Sequence, residues 1–175
     1  MVVDETRISL EANPYYAWHQ KGQTPVKKVK LEIHKSKVIY GGLSLAQGLV
    51  MTHEDNKHNG LATAKFLNKI KEFKQSYHPS SKQPILLLWD GAGCHKSQEV
   101  KNWLKANPNV VELDYFPPYA PELNPQEHVW KELKRHINHL RGHTSLTEIM
   151  IEAMKFLNSK RFYYKLFSLT KESIF

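Results

Sequence analysis

Apolar and polar residues change rhythm several times along this chain, and each rhythm names an element. Val2-Val3-Asp4, with room for a few residues more, reads as a very short opening strand, and Trp18 to Gln23, with Gly22, as a turn. Val29, Leu31 and Ile33 alternate with Lys28, Lys30 and Glu32, the two-residue period of a half-exposed strand. Val38-Ile39-Tyr40 and Leu49-Val50-Met51 read as two further strands, separated by Gly41-Gly42 and Gly48, and these three segments are expected to form an antiparallel meander. Between Leu61 and Tyr77 the apolar positions Phe66, Leu67, Ile70, Phe73 and Tyr77 recur at three and four residues, with lysines between them, which predicts an amphipathic helix with a basic outer surface. Ile85-Leu86-Leu87-Leu88-Trp89 is unbroken apolar sequence, as in a central parallel strand buried on both faces.

Ser97 then caps a helix striped by Val100, Trp103 and Leu104, and Asn107-Pro108 stops it. Val110 to Tyr115 is a strand, and Pro117, Pro118 and Pro121 stiffen the loop after it. In a helix from about Pro125 to Leu140, the residues Val129, Trp130, Leu133, Ile137 and Leu140 share one face. Ser145 and Glu148 have capping-box spacing and open a last helix through Ile149, Ala153, Met154 and Phe156. The aromatic tail with Phe162, Tyr163, Tyr164, Leu166 and Phe167 is expected to pack back or to mediate association. This order predicts an α/β fold, a mixed sheet with helices on both faces.

Composition narrows the classes. At 175 residues with 41% hydrophobic content the chain is the size of one domain with a real core. It has no long apolar run and no signal-peptide pattern at Met1-Val2-Val3-Asp4-Glu5, so a soluble cytoplasmic protein with no membrane association is expected. The single cysteine, Cys94, excludes an internal disulfide and reads as an ordinary small side chain. A net charge of +8 fits a polyanionic partner, because lysines and arginines gain free energy by releasing counterions condensed on nucleic acid.

Candidate chemistry lies in carboxylates. Asp90 ends the apolar strand Leu86 to Trp89, where α/β sheets place their sites, and Gly91-Ala92-Gly93 leaves room beside it. It reads equally well as an acceptor for backbone N–H groups in a glycine-rich turn. Asp4 and Glu5 are adjacent on a strand, so only one of them can aim at a given site. Glu127 falls in the first turn of the Pro125 helix, where it also reads as the partner of Asn124 in a capping box. Lys131 and Lys134 lie on the Glu127 flank of that helix and are candidates for contact with a DNA backbone.

Three carboxylates from distant parts of the chain suit Mg²⁺ or Mn²⁺, hard ions with oxygen ligands. Two such ions about 3.5–4 Å apart serve an in-line displacement at phosphorus without a nucleophilic side chain. A glycosidase would not call for three carboxylates on so basic a surface. A zinc site fits poorly, since the ten histidines include no HExxH pair and His53, His58, His136, His139 and His143 read as solvated.

Four blocks carry a family resemblance: Val3-Asp4-Glu5-Thr6; Ala17-Trp18-His19-Gln20-Lys21-Gly22-Gln23; Trp89-Asp90-Gly91-Ala92-Gly93-Cys94-His95-Lys96-Ser97; and Phe116-Pro117-Pro118-Tyr119-Ala120-Pro121-Glu122-Leu123-Asn124-Pro125-Gln126-Glu127-His128-Val129-Trp130. In this order they resemble the DDE-superfamily transposases of the IS630 group, relatives of Tc1/mariner. The resemblance implies a ribonuclease H-like catalytic domain over 1–175, with a five-stranded sheet of three antiparallel and two parallel strands and a C-terminal helix and tail from about 144. It implies Asp4, Asp90 and Glu127 as the catalytic triad binding two divalent ions, and so favours Asp4 over Glu5. His95, Glu5 and Asn124 fall near the site without an assigned role, and Lys96 joins the DNA-backbone candidates.

The implied activity is cleavage of DNA at transposon ends and joining of the 3′-hydroxyl to target DNA, by a homodimer or larger assembly in a prokaryotic cytoplasm, on the nucleoid when bound. The sequence departs from the family pattern at Gly91, Ala120 and Gln126, where Asn, Ser and Ile are usual. The helix-turn-helix region of full-length members has no counterpart before Asp4, so a separate chain supplying it, or a truncated copy, is expected. The alternatives are a non-catalytic DNA-binding or assembly remnant and a ribonuclease H-like nuclease acting on RNA–DNA hybrids.

Overall fold

A computed structural model describes residues 1–9, 21–22, 35–117, 120–139 and 145–164. The strand expected over Val29 to Ile33, most of the Trp18 to Gln23 turn, Pro118, Tyr119, Leu140 and the end of the aromatic tail lie outside the described residues. Five strands form one sheet: β1 (Val2–Ser9), β2 (Ser36–Leu43), β3 (Val50–Asp55), β4 (Ile85–Trp89) and β5 (Val111–Tyr115), in the order β3-β2-β1-β4-β5. The first three pair antiparallel, while β4 runs parallel to β1 and β5 parallel to β4. The helices are α1 (Gly60–Tyr77), α2 (Gln98–Ala106), α3 (Pro125–His139) and α4 (Leu146–Ser159).

The two-residue alternation of β1 distributes its side chains between two cores. Val3 joins Tyr40, Phe66, Leu67, Ile70, Trp89, Val100 and Trp103 beneath α1 and α2. Ile8 joins Ile39, Leu43, Val129, Leu133, Ile149 and Leu157 beneath α3 and α4. Helices therefore cover both faces, as expected. Each fully buried side chain of this kind contributes about 1.5–3 kcal/mol by leaving water, so the apolar stripes of α1 and α3 fix how these helices lie on the sheet. The caps fall where the sequence places them: the Ser97 hydroxyl accepts from the Val100 N–H (3.4 Å) and the Ser145 hydroxyl from the Glu148 N–H (3.2 Å).

Several elements differ from expectation. The first strand extends to Ser9, through charged residues that the apolar pattern did not mark as strand. Strand β2 does not stop at Gly41-Gly42 but runs through both, pairing Gly41 with Asp4 and Gly42 with Val3. A side chain at position 41 would meet the Trp130 ring at 2.4 Å, so the glycine is what lets α3 lie close to the sheet. The apolar run of β4 is not buried on both faces, since Leu86 is 45% exposed. Tyr77, counted on the α1 stripe, is exposed at the helix end and stacks on Phe73. The tail packs back as far as it is described: Phe162 is buried and its N–H donates to the Gly48 carbonyl (2.7 Å), while the Tyr164 hydroxyl bonds Glu132 and its ring stacks on His128.

Candidate active site

The parallel register pairs Val2 with Leu88, so Asp4, the third residue of β1, and Asp90, just past the end of β4, lie at the same level of neighbouring strands. Asp4 shares the parity of Ile8, which packs beneath α3, while the Asp90 carboxylate, beyond the strand, lies 3.0 Å from the His95 ring. Asn124 joins that helix to Asp4. Its side-chain oxygen accepts the Gln126 N–H (3.0 Å) and its Nδ2 donates to Asp4 Oδ2 (2.9 Å). The expected cap at Asn124 is present, and the same amide ties the start of α3 to β1. The reciprocal half of a capping box has a substitute, because the Asn124 N–H already donates to the Pro121 carbonyl (3.0 Å). Glu127 stands exposed in the first turn of α3.

Electrostatics connects the three carboxylates. Burial pushes the Asp4 carboxyl up to about 7, and the charges of Glu127, Glu5 and Asp90 add to the rise, against a hydrogen bond from the Glu5 N–H that opposes it. Asp90 is more open, its side chain 57% exposed. Its Oδ1 accepts the Ala92 N–H (2.9 Å), so the turn-stabilising reading holds alongside any other role. The room expected beside it exists: a side chain at Gly93 would meet nothing within 4 Å, and one at Gly91 only the Lys96 ammonium at 3.5 Å. Lys96 also reaches over the Tyr115 ring (5.7 Å) at the end of β5, while Lys131 and Lys134 are exposed on α3.

Behind the strand lies a second cluster that sequence reasoning missed. Glu5 points away from Asp4 and accepts from His95 Nε2 (2.9 Å), with His58 Nε2 at 3.7 Å from its other oxygen. His95 is fully buried, stacks on Trp89 with ring centroids 4.3 Å apart, and places Nδ1 3.1 Å from the Asp90 carbonyl and 3.0 Å from its Oδ1. Burial alone would lower its pKa, but hydrogen bonds with Cys94 and Glu5 and the Glu5 charge outweigh that and push it up to about 11. As an imidazolium it has an N–H for Glu5 and another for Asp90. His58 is not merely solvated, and Cys94 is not merely small, since the His58 Nε2 and the Cys94 Sγ lie 3.2 Å apart. The strand alternation at Asp4-Glu5 was the available signal: whichever carboxylate aims at one face, the other needs company on the opposite one.

Among the described residues no three histidine, cysteine or carboxylate side chains stand close enough to form a ready-made cage for an ion. The donor set nevertheless suits a hard divalent cation in kind, because Asp4, Asp90 and Glu127 offer only oxygens.

A mixed five-stranded sheet in the order β3-β2-β1-β4-β5, covered by helices on both faces, is a ribonuclease H-like fold. The same architecture is found in the mariner Mos1 paired-end complex with Mg (TM-score 0.67, 16% identity, 91% of this chain and 48% of that chain). It is also found in the Mos1 transposase catalytic domain with raltegravir and Mn (TM-score 0.64, 15% identity, 91% of this chain and 70% of that chain). At such identities the likeness concerns the fold. A family model described as DDE superfamily endonuclease matches residues 1–150, and the chain belongs to that family. A curated relative, the insertion element IS630 uncharacterized 39 kDa protein of Shigella sonnei, is 27% identical over 158 residues, which cover 89% of this chain and 44% of the relative. The chain thus spans less than half the length of that protein.

Proposed function

We propose that this chain is the catalytic domain of an IS630-type transposase, cutting DNA at the ends of a mobile element and joining the freed 3′-hydroxyl to target DNA. The observation that supports the reading is the Asp4 carboxyl, which burial pushes up to about 7 with the charges of Glu127, Glu5 and Asp90 adding to the rise, at the level where the neighbouring parallel strand β4 ends in Asp90. Asp4, Asp90 and Glu127 would hold divalent cations, Mg²⁺ or Mn²⁺, and two of them would stabilise the attacking and leaving oxygens at phosphorus.

The rest of the site prepares for that charge. Asn124 orients the Asp4 carboxylate and fixes the start of α3. His95 steadies the Asp90 turn from behind. Gly41 sets the height of α3 above the sheet and therefore the reach of Glu127. Lys96, Lys131 and Lys134 take phosphates flanking the cut. No side-chain nucleophile is needed, since water attacks first and a DNA 3′-hydroxyl second. The Mos1 complexes hold paired transposon ends, and the same arrangement for this chain calls for two or more copies. A helix-turn-helix region supplied by a separate chain would recognise the ends.

Among the described residues no helix is long and apolar enough to cross a membrane, consistent with a protein acting on DNA in a bacterial cytoplasm. The test is a nicking assay on DNA carrying the element's ends, with Mg²⁺ or Mn²⁺. Activity in the wild type that disappears in Asp90→Asn supports the reading, and equal activity in that variant overturns it. Salt-sensitive DNA binding with no cleavage would point instead to a non-catalytic remnant, and preferential cutting of RNA–DNA hybrids to a ribonuclease.

A further inference from the structure

Gln126 is the second residue of α3 and is fully buried. Its backbone N–H is satisfied by Asn124, yet neither its side-chain oxygen nor its nitrogen has a hydrogen-bond partner. A buried primary amide left unpaired is costly, and folded proteins seldom tolerate one without a use for it.

Its position indicates that use. The amide nitrogen lies 2.6 Å from the point where Gly41 would carry its Cβ. Gly41 is the residue directly opposite Asp4 in the β1–β2 pair. Opposed residues in an antiparallel pair carry their Cβ atoms about 4.5–5.5 Å apart on the same face, so the Gln126 amide occupies the place of Asp4's cross-strand neighbour. Trp130, one helical turn further on, fills the other side of the same space and limits where the amide can go. The Asp4 oxygens each accept one bond already, from the Glu5 N–H (2.8 Å) and from Asn124 Nδ2 (2.9 Å), and each retains a further lone pair.

We propose that Gln126 is a positioning residue for Asp4: its side-chain amide donates to the Asp4 carboxylate when that carboxylate holds a divalent cation. The inference rests on the metal-binding reading above. Gln126 acts through Asp4 and does not touch the reacting atoms.

The experiment pairs two measurements on the full chain, thermal unfolding without metal and Mn²⁺ affinity by electron paramagnetic resonance, in wild type, Gln126→Met and Asp90→Asn. Methionine keeps the length and removes the unpaired amide. The expected result is a raised metal-free Tm in Gln126→Met together with Mn²⁺ binding weakened about tenfold, the range seen when partners that orient metal ligands are removed. A merely structural glutamine would move the Tm and leave the affinity within about twofold of wild type, which overturns the proposal. Gln126→Ile, judged by the same two measurements, takes over where the methionine variant does not fold. The Asp90 variant separates the two claims: if it leaves Mn²⁺ affinity unchanged, the metal site itself is wrong and the role of Gln126 falls with it; if it loses Mn²⁺ while Gln126→Met does not, only the role of Gln126 falls.

Discussion

Asp4 and Glu5 are adjacent carboxylates on one strand, and the sheet sends them into opposite company. On the α1 side Glu5 meets two imidazoles, His95 at 2.9 Å and His58 at 3.7 Å. On the α3 side Asp4 is held only by neutral donors, the Glu5 N–H and Asn124, and feels the added charge of Glu127, Glu5 and Asp90. Glu5 is therefore paired with imidazoles on its own face, while no cationic side chain among the described residues is bonded to Asp4. The residue type is nearly the same; the surroundings differ because one face supplies a cationic partner and the other does not.

Breaking the neutralised face should cost most. Glu5→Ala leaves the buried His95 imidazolium without its counter-charge, and removing one partner of a buried pair costs about 3–5 kcal/mol, measurable by urea unfolding at pH 7. The charged face should respond with the opposite sign. Asp4 titrates at about 7 in the folded chain against an ordinary 3.8. The folded state therefore keeps that proton to higher pH than the unfolded chain, and Asp4's contribution to stability is full below about 4 and lost as pH rises through about 7. Without metal at pH 8, Asp4→Asn should be more stable than wild type, by on the order of 2 kcal/mol, and the gap should close near pH 4 in paired thermal melts. Adding Mg²⁺ should raise the wild-type Tm and leave the variant's nearly unchanged.

A smaller effect separates packing from charge. Gly41→Ala puts a methyl group 2.4 Å from the Trp130 ring and 2.6 Å from the Gln126 amide. Overpacking of this kind costs about 1–3 kcal/mol, and displacement of α3 should lower nicking further than the melting curve accounts for, at a temperature where both proteins are folded. Lys131→Ala and Lys134→Ala should change least. Both residues are exposed, so stability should stay within about 0.5 kcal/mol, while the slope of DNA affinity against salt should flatten by about 0.9 for each phosphate that the variant no longer neutralises.

The parts of the fold that follow from local chemistry were legible in the sequence. The stripes of α1 and α3, the serine caps of α2 and α4 and the central position of β4 each depend on residues close together in the chain. Asn124 was legible as a cap, but its second bond, to a carboxylate 120 residues away, was not. Gly41 misled for a physical reason: glycine weakens an isolated strand, whereas here a helix packed from the other end of the chain occupies the space its side chain would fill. The charged stretch after Val3 hid the length of β1 in the same way, because Asp4, Glu5 and Arg7 are polar residues carried within the strand up to Ser9. The four sequence blocks named Asp4, Asp90 and Glu127 together; the pairing of Glu5 with His95 needs the sheet and the Gly93–Lys96 turn in place at once.

The most direct measurement is calorimetric titration of the metal-free chain with Mn²⁺ at about pH 7.5, alongside Asp4→Asn, Asp90→Asn and Glu127→Gln. Saturable binding in the wild type, weakened at least about tenfold by each substitution, is the predicted result. Equal affinity in the wild type and all three variants would contradict the assignment of these carboxylates to one metal site.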